Sequence, residues 1–142
     1  MRILGIDFGD KNIGLAVSDK LHITAQALDS YCVVNEEEDK KYFKKIISSY
    51  DIGEIVIGLP LRMDGSSGTR VEKTKEFASW LKKTLNLPVK FWDERLTTKQ
   101  ALKILRGQKV KGKAKRKLKD KISATIILST YLESRRLNAH GS

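Results

Sequence analysis

The sequence predicts an α/β fold: a mixed five-stranded sheet with helices packed on it. Three observations lead there. The first third of the chain holds three strand-like segments separated by short turns. Two segments of helical period then alternate with two short apolar strands. A late segment is apolar almost all round, as a helix buried against a sheet must be. The expected order is β-β-β-α-β-α-β-α-α, with a three-strand antiparallel meander followed by two strands joined through helices and hence parallel.

Each element has a local cause. Arg2 to Gly9 (Arg-Ile-Leu-Gly-Ile-Asp-Phe-Gly) is an apolar run that carries Asp7 to its far end. Gly9-Asp10-Lys11-Asn12 reads as a tight turn, and Ile13 to Ser18 as the second strand. Gln26 to Val34 reads as the third. Asn35 before Glu36-Glu37-Glu38-Asp39 has the form of an N-cap followed by an acidic first turn. Tyr42, Phe43, Ile46, Ile47 and Tyr50 recur at helical spacing, which predicts a helix over 36–50. Glu54 to Gly58 is a short buried strand ending at Leu59-Pro60, where Gly58 and Pro60 permit a sharp turn.

After a polar loop over 62–70, Val71, Thr74, Phe77, Ala78, Leu81 and Leu85 mark one face of a second helix. Gly65 and Gly68 in that loop permit positive φ or a close backbone approach. Pro88 to Trp92 gives the fifth strand, with Asp93-Glu94-Arg95 just beyond it. Thr97-Thr98-Lys99-Gln100 fits a capping box for a short helix ending near Gly107. Ile122 to Leu132 is the late apolar helix.

A chain of 142 residues suits one domain, 1–142, with one core. No apolar run approaches the roughly 18 residues of a membrane span, and Asp7 and Asp10 interrupt the N-terminal apolar stretch, so a cytoplasmic location is expected. Cys32 stands alone in a strand-like run and reads as a core thiol, which excludes a disulfide framework or a cysteine zinc site. His22 reads as a loop residue, and Trp80 and Trp92 as packing groups rather than base-stacking platforms.

The net charge of +11 is unevenly spread. Residues 109–121 hold eight basic side chains and one acid, a net +7 in a single Gly-interrupted block. Such a block suits a polyanion such as RNA or DNA, because neutralised phosphates release counterions. The backbone-holding candidates are Lys109, Lys111, Lys113, Lys115, Arg116 and Lys117. Lys11 is either an ion-pair partner of Asp7 or a substrate contact; Arg62 and Arg70 are placed to hold phosphates. Arg95 either contacts the scissile phosphate or clamps Glu94.

Three acids occupy unusual places. Asp7 ends the first strand, Glu94 follows the fifth, and Asp120 precedes the apolar helix on the same face as Ala124, Ile127 and Tyr131. Strands one and five can converge at one edge, with the last helix across it. Three carboxylates so gathered repel unless cations neutralise them. Oxygen-only ligation suits Mg²⁺ or Mn²⁺. Two such ions about 3.5–4 Å apart can activate water and stabilise the leaving oxygen in phosphodiester cleavage. Taken singly, each acid also has a structural reading: an ion pair, a surface loop acid, a helix N-terminal charge.

Four blocks then appear in order: Leu4 to Gly9 with Gly14 to Asp19; Gly58 to Gly65; Asp93 to Thr98; and Asp120 to Ala124. Together they resemble the YqgF/RuvX family of bacterial RNase H-like nucleases, over essentially the whole chain. The resemblance implies an RNase H-like fold, metal-binding acids at Asp7, Glu94 and Asp120, and maturation of the 5′ end of the small-subunit ribosomal RNA precursor, pre-16S rRNA. Asp10 and Asn12 stand where Thr and Arg are commoner in that family, and Ser123 where Ala is usual. The first two change the charge beside the expected site.

Three functions of different kind follow as expectations. The leading one is a Mg-dependent nuclease acting on RNA, with Holliday junction resolution on branched DNA as its near variant; the latter needs two symmetric cuts and usually a dimer. A second is an actin-like nucleotide-binding module, because Asp-Phe-Gly-x-x-x-x-Gly resembles the first phosphate motif of those ATPases. A third is an RNA-binding protein without catalysis, indifferent to the three acids.

Overall fold

The computed structural model describes residues 1–60, 68–94 and 113–140, with the side chains of the last helix described over 122–137. Five strands, β1 (Arg2–Asp7), β2 (Asn12–Ser18), β3 (Ala25–Cys32), β4 (Ile52–Leu59) and β5 (Val89–Asp93), form one sheet in the order β3-β2-β1-β4-β5. The first three are antiparallel neighbours, and β4 and β5 run parallel to β1. This is the mixed sheet expected, with the two parallel strands added on the β1 side.

Strand alternation divides the core into two layers. Leu4, Ile6, Ile13, Leu15, Ile55 and Ile57 face α1 (Glu36–Tyr50) and α2 (Thr69–Leu85), where Phe43, Ala78 and Leu81 meet them. Ile3, Ala16 and Val56 face the opposite way, onto Ala124, Leu128, Tyr131 and Leu132 of α3 (Lys113–His140). Central strands buried on both faces explain why β1 and β4 read as continuous apolar runs rather than alternating ones.

The cap of α1 is as expected: Asn35 Oδ1 accepts a hydrogen bond from the Glu38 backbone N–H at 2.9 Å. The helix closes at Asp51, whose φ of 52° is left-handed. In the β2–β3 turn, the backbone N–H groups of Thr24 and Ile23 donate to the Asp19 carboxylate and hold its pKa below the ordinary range. His22 lies in that turn, with its ring 2.7 Å from the Met1 carbonyl oxygen.

Several expectations need correction. The late helix is far longer than 122–132: it spans 28 residues from Lys113, so much of the basic block is helical and Asp120 lies inside the helix rather than before it. Apolar pattern reports only the stretch touching the sheet, whereas Lys, Arg, Ala and Leu propagate a helix beyond it. Strand β4 is also longer than 54–58, because it is paired on both sides. Gly58 therefore sits within β4 and is buried, not at a turn. Gly68 has a φ of −141°, extended backbone open to any residue. Cys32 is exposed, because it ends the edge strand β3 opposite the exposed Asn12. The short helix expected over 97–107, with Gly65, lies outside the described residues.

The far end of α3 is pinned. Tyr131 Oη donates to Glu54 Oε2 at 2.7 Å, and Arg135 and Lys90 reach the same carboxylate at 3.2 and 3.5 Å. Glu54 pairs with Ile3, so this lock sits at the start of β1. At mid-helix the contact is closer: a Cβ on Gly5 would stand 2.8 Å from Leu128 Cβ and 3.3 Å from the Ala124 carbonyl oxygen. Gly5→Ala should accordingly force α3 off the sheet and lower stability by about 1–3 kcal/mol, read as a reduced midpoint in urea unfolding.

Candidate active site

The parallel register brings the C-terminal ends of β1, β4 and β5 to one edge. Asp7 has the same parity as Ile3 and Gly5 on β1, so it lies on the α3 face of the sheet. Ile6 pairs with Ile57, which puts Asp7 alongside Gly58 of β4. Gly58 in turn pairs with Trp92, two residues before Glu94. A Cβ on Gly58 would meet Glu94 Cγ at 2.8 Å, Glu94 Cδ at 3.0 Å and Ile127 Cδ1 at 2.5 Å. The Glu94 side chain thus folds back across Gly58, on the face that α3 covers and beside the strand that ends in Asp7.

Asp120 approaches the same place from the helix. Tyr131 packs near the start of β1 and Ala124 lies over Gly5, so α3 runs toward the Asp7 end as its numbering falls. The four residues from Ala124 back to Asp120 cover about 6 Å of helix axis. The two residues from Gly5 to Asp7 cover about 6.6 Å of strand. Asp120 therefore lies on the side of Ala124 that faces the Asp7 end of β1; its side chain lies outside the described set. Among the described residues, no three His, Cys, Asp or Glu side chains form a metal-holding group.

Next to this edge is a cleft of about 530 Å³ between the β1–β2 turn and the first turn of α2. Lys11, Arg70 and Lys73 line it with Asn12 and Thr69. The turn is tight enough that a Cβ on Gly9 would overlap the Asn12 carbonyl oxygen. Lys11 and Arg70, both expected as substrate contacts, are brought together here from distant parts of the chain. Lys73 was not anticipated, although its i+3 spacing from Arg70 puts it on the same helix face. It also reaches Asp10 Oδ2 at 3.5 Å, an exposed pair of little energetic weight.

The other basic candidates divide in two. Arg62, Arg95, Lys109 and Lys111 lie outside the described residues. Lys113, Lys115, Arg116 and Lys117 stand on the first turns of α3, which continue past Asp120 beyond the carboxylate edge. Their side chains are not among those described.

A family model described as "RuvX: Holliday junction resolvase" matches residues 1–134. The chain belongs to the RuvX family. A relative from Halothermothrix orenii is 46% identical over 132 residues, 93% of this chain and 94% of its own, and bears the name "Putative pre-16S rRNA nuclease". One from Clostridium acetobutylicum bears the same name and is 46% identical over 134 residues, covering 94% and 99% of the two chains.

Among solved structures, RuvC of T. thermophilus in complex with a Holliday junction substrate is similar with a TM-score of 0.55 at 15% identity, covering 96% of each chain. The Fowlpox virus resolvase bound to junction DNA gives 0.58 at 16% identity, covering 95% and 99%. At that identity the likeness establishes the RNase H-like fold expected of the family.

The RuvX chain presents a basic cleft next to the strand edge at which Asp7 and Glu94 lie on the same face of the sheet. Lys11→Ala and Lys73→Ala should each weaken nucleic-acid binding and flatten the plot of log affinity against log salt by roughly 0.7–0.9. Anisotropy titrations at several salt concentrations measure both effects.

Proposed function

We propose that this chain is a metal-dependent phosphodiester hydrolase that matures the 5′ end of pre-16S rRNA. The observation that carries the proposal is that the Glu94 side chain lies over Gly58, the β4 residue beside the strand end that bears Asp7. The RNA assignment draws support from relatives of 46% identity that carry the pre-16S rRNA nuclease name. Likeness to the solved RuvC and Fowlpox virus resolvases is at the level of fold. The matching family model bears the description Holliday junction resolvase, which keeps the resolvase reading as the alternative.

The residues suit a hard divalent cation. Their donors are carboxylate oxygens, which favour Mg²⁺ or Mn²⁺ over softer metals. Gly58 leaves open the space that a side chain would take from Glu94, so the two acids can share one face without a spacer between them. Asp7, Glu94 and Asp120 are the proposed metal ligands and catalytic residues. A bound ion there would supply Lewis-acid charge to the phosphoryl oxygens and lower the pKa of coordinated water.

The chain's own groups do the rest. Carboxylates crowded at one strand edge would repel one another, and a divalent cation held among them would relieve that repulsion. Lys11, Arg70 and Lys73 bind backbone phosphates flanking the scissile bond and orient it toward the acids. The basic first turns of α3 hold the strand on the other side of that edge.

Asp7→Asn should reduce Mg²⁺-dependent cleavage by roughly a hundredfold or more while leaving RNA affinity within a few-fold. The assay is cleavage of a pre-16S 5′ fragment beside single-stranded and four-way junction DNA. Undiminished cleavage by the purified variant would remove the proposal, and preferential cutting of the junction would favour the resolvase reading. Gly58→Ala should displace both Glu94 and Ile127 and slow cleavage by roughly ten- to a hundredfold, measured on protein shown to be folded by its urea unfolding transition.

A further inference from the structure

A second cleft adjoins the basic one and differs from it in chemistry. It has a volume of about 380 Å³, lies where α1, α2 and the end of β1 meet, and shares Phe8 and Asp10 with its basic neighbour. Its apolar wall is aromatic. The rings of Phe8 and Phe77 stack with centroids 4.6 Å apart, and those of Phe77 and Trp80 at 5.9 Å, each pair inclined by 27°. All three are only partly buried.

This stepped row is held from behind. Phe43, fully buried, meets Phe77 at 61° and Trp80 at 77°, edge-on. Trp80 Nε1 donates to Glu36 Oε1 at 3.2 Å, which fixes the indole plane. A core needs buried rings, yet these three leave part of their surface in an open cleft directly behind Asp7 in the chain. The rim is acidic, with Glu36 and Asp39 beside the rings. A phosphate is disfavoured there and favoured next door, among Lys11, Arg70 and Lys73.

We infer that the aromatic cleft is a subsite for an unpaired nucleobase of single-stranded nucleic acid whose adjoining phosphate occupies the basic cleft. The occupant follows from the juxtaposition: cationic groups for the backbone, and stacked rings with neighbouring carboxylate acceptors for a planar heterocycle. Stacking on aromatic side chains tolerates any base and holds a strand away from pairing. The subsite makes single-stranded character near the cut a requirement for tight binding. The inference rests on the nucleic-acid reading above, but not on the metal chemistry.

The test is binding in the presence of a chelator, with a short labelled oligoadenylate and a series in which one position at a time is abasic. For the unaltered chain, an abasic residue at one particular position should weaken binding by roughly tenfold, with smaller effects elsewhere. Trp80→Leu should bind the intact oligonucleotide as weakly as the abasic one and lose the discrimination. Trp80 emission, isolated in Trp92→Phe protein, should be quenched by the intact strand and unchanged by that abasic strand.

Equal affinity for all abasic strands, or full discrimination by Trp80→Leu, overturns the subsite. The abasic scan uses the unaltered chain, so a poorly folding variant does not blunt it. Loss of the Asp7→Asn effect with the abasic penalty intact would remove the hydrolase reading and leave the subsite standing. The reverse pattern would remove the subsite alone.

Discussion

The candidate site depends on one steric fact: the interior strand β4 carries no side chain at Gly58. Parallel β1, β4 and β5 end at one edge, so residues beyond their C-terminal ends gather there, as is general for parallel strands in α/β sheets. Proximity of strand ends is not sufficient, because Asp7 and Glu94 belong to strands separated by β4. Only a residue without a Cβ there lets the Glu94 side chain lie over β4, the strand next to the one that bears Asp7. The same gap admits Ile127 from α3, so helix docking and carboxylate placement share a single point of contact.

The register of α3 is the second constraint. Glu54, Tyr131, Arg135 and Lys90 tie the helix near the start of β1, and the Gly5 contact seats it at mid-length. A rigid helix carries that register to its other end, about 16 Å from Tyr131 to Asp120 at standard rise. Asp120 is thereby positioned by interactions remote from it. The partly buried Glu54 also raises the pKa of Lys90, by the attraction of its charge. The cluster therefore adds ionic contacts to the apolar packing of Tyr131.

The two faces of the sheet divide the work. The α3 face carries Asp7 and Glu94 at its edge, while the α1 and α2 face holds the row of aromatic rings. The β1–β2 turn joins them, because Asp7 faces one side and Phe8 the other, with Lys11 just beyond. Asp10 lies on the boundary of both clefts. Its negative charge, like the lack of an arginine at Asn12, makes the cationic character of this edge depend on Lys11, Arg70 and Lys73.

Much of this was legible from the chain alone, for local reasons. Apolar runs, helical period and the Asn35 cap marked part or all of every described element, because these follow from geometry within a few residues. Asp7, Glu94 and Asp120 could be singled out because charges at the ends of apolar segments stand out, and their joint role as a metal site is our proposal. Other features are decided only in three dimensions. Gly58 looked like a turn glycine, since nothing local distinguishes a turn from a strand residue beneath a neighbour's side chain. Cys32 looked buried, since strand position in the sheet is not a property of the strand. Lys73 entered the basic cleft, and Phe8, Phe77 and Trp80 formed one row, through contacts between elements far apart in sequence. Residue type and period determined which groups this protein possesses; sheet order and helix register decided which of them meet.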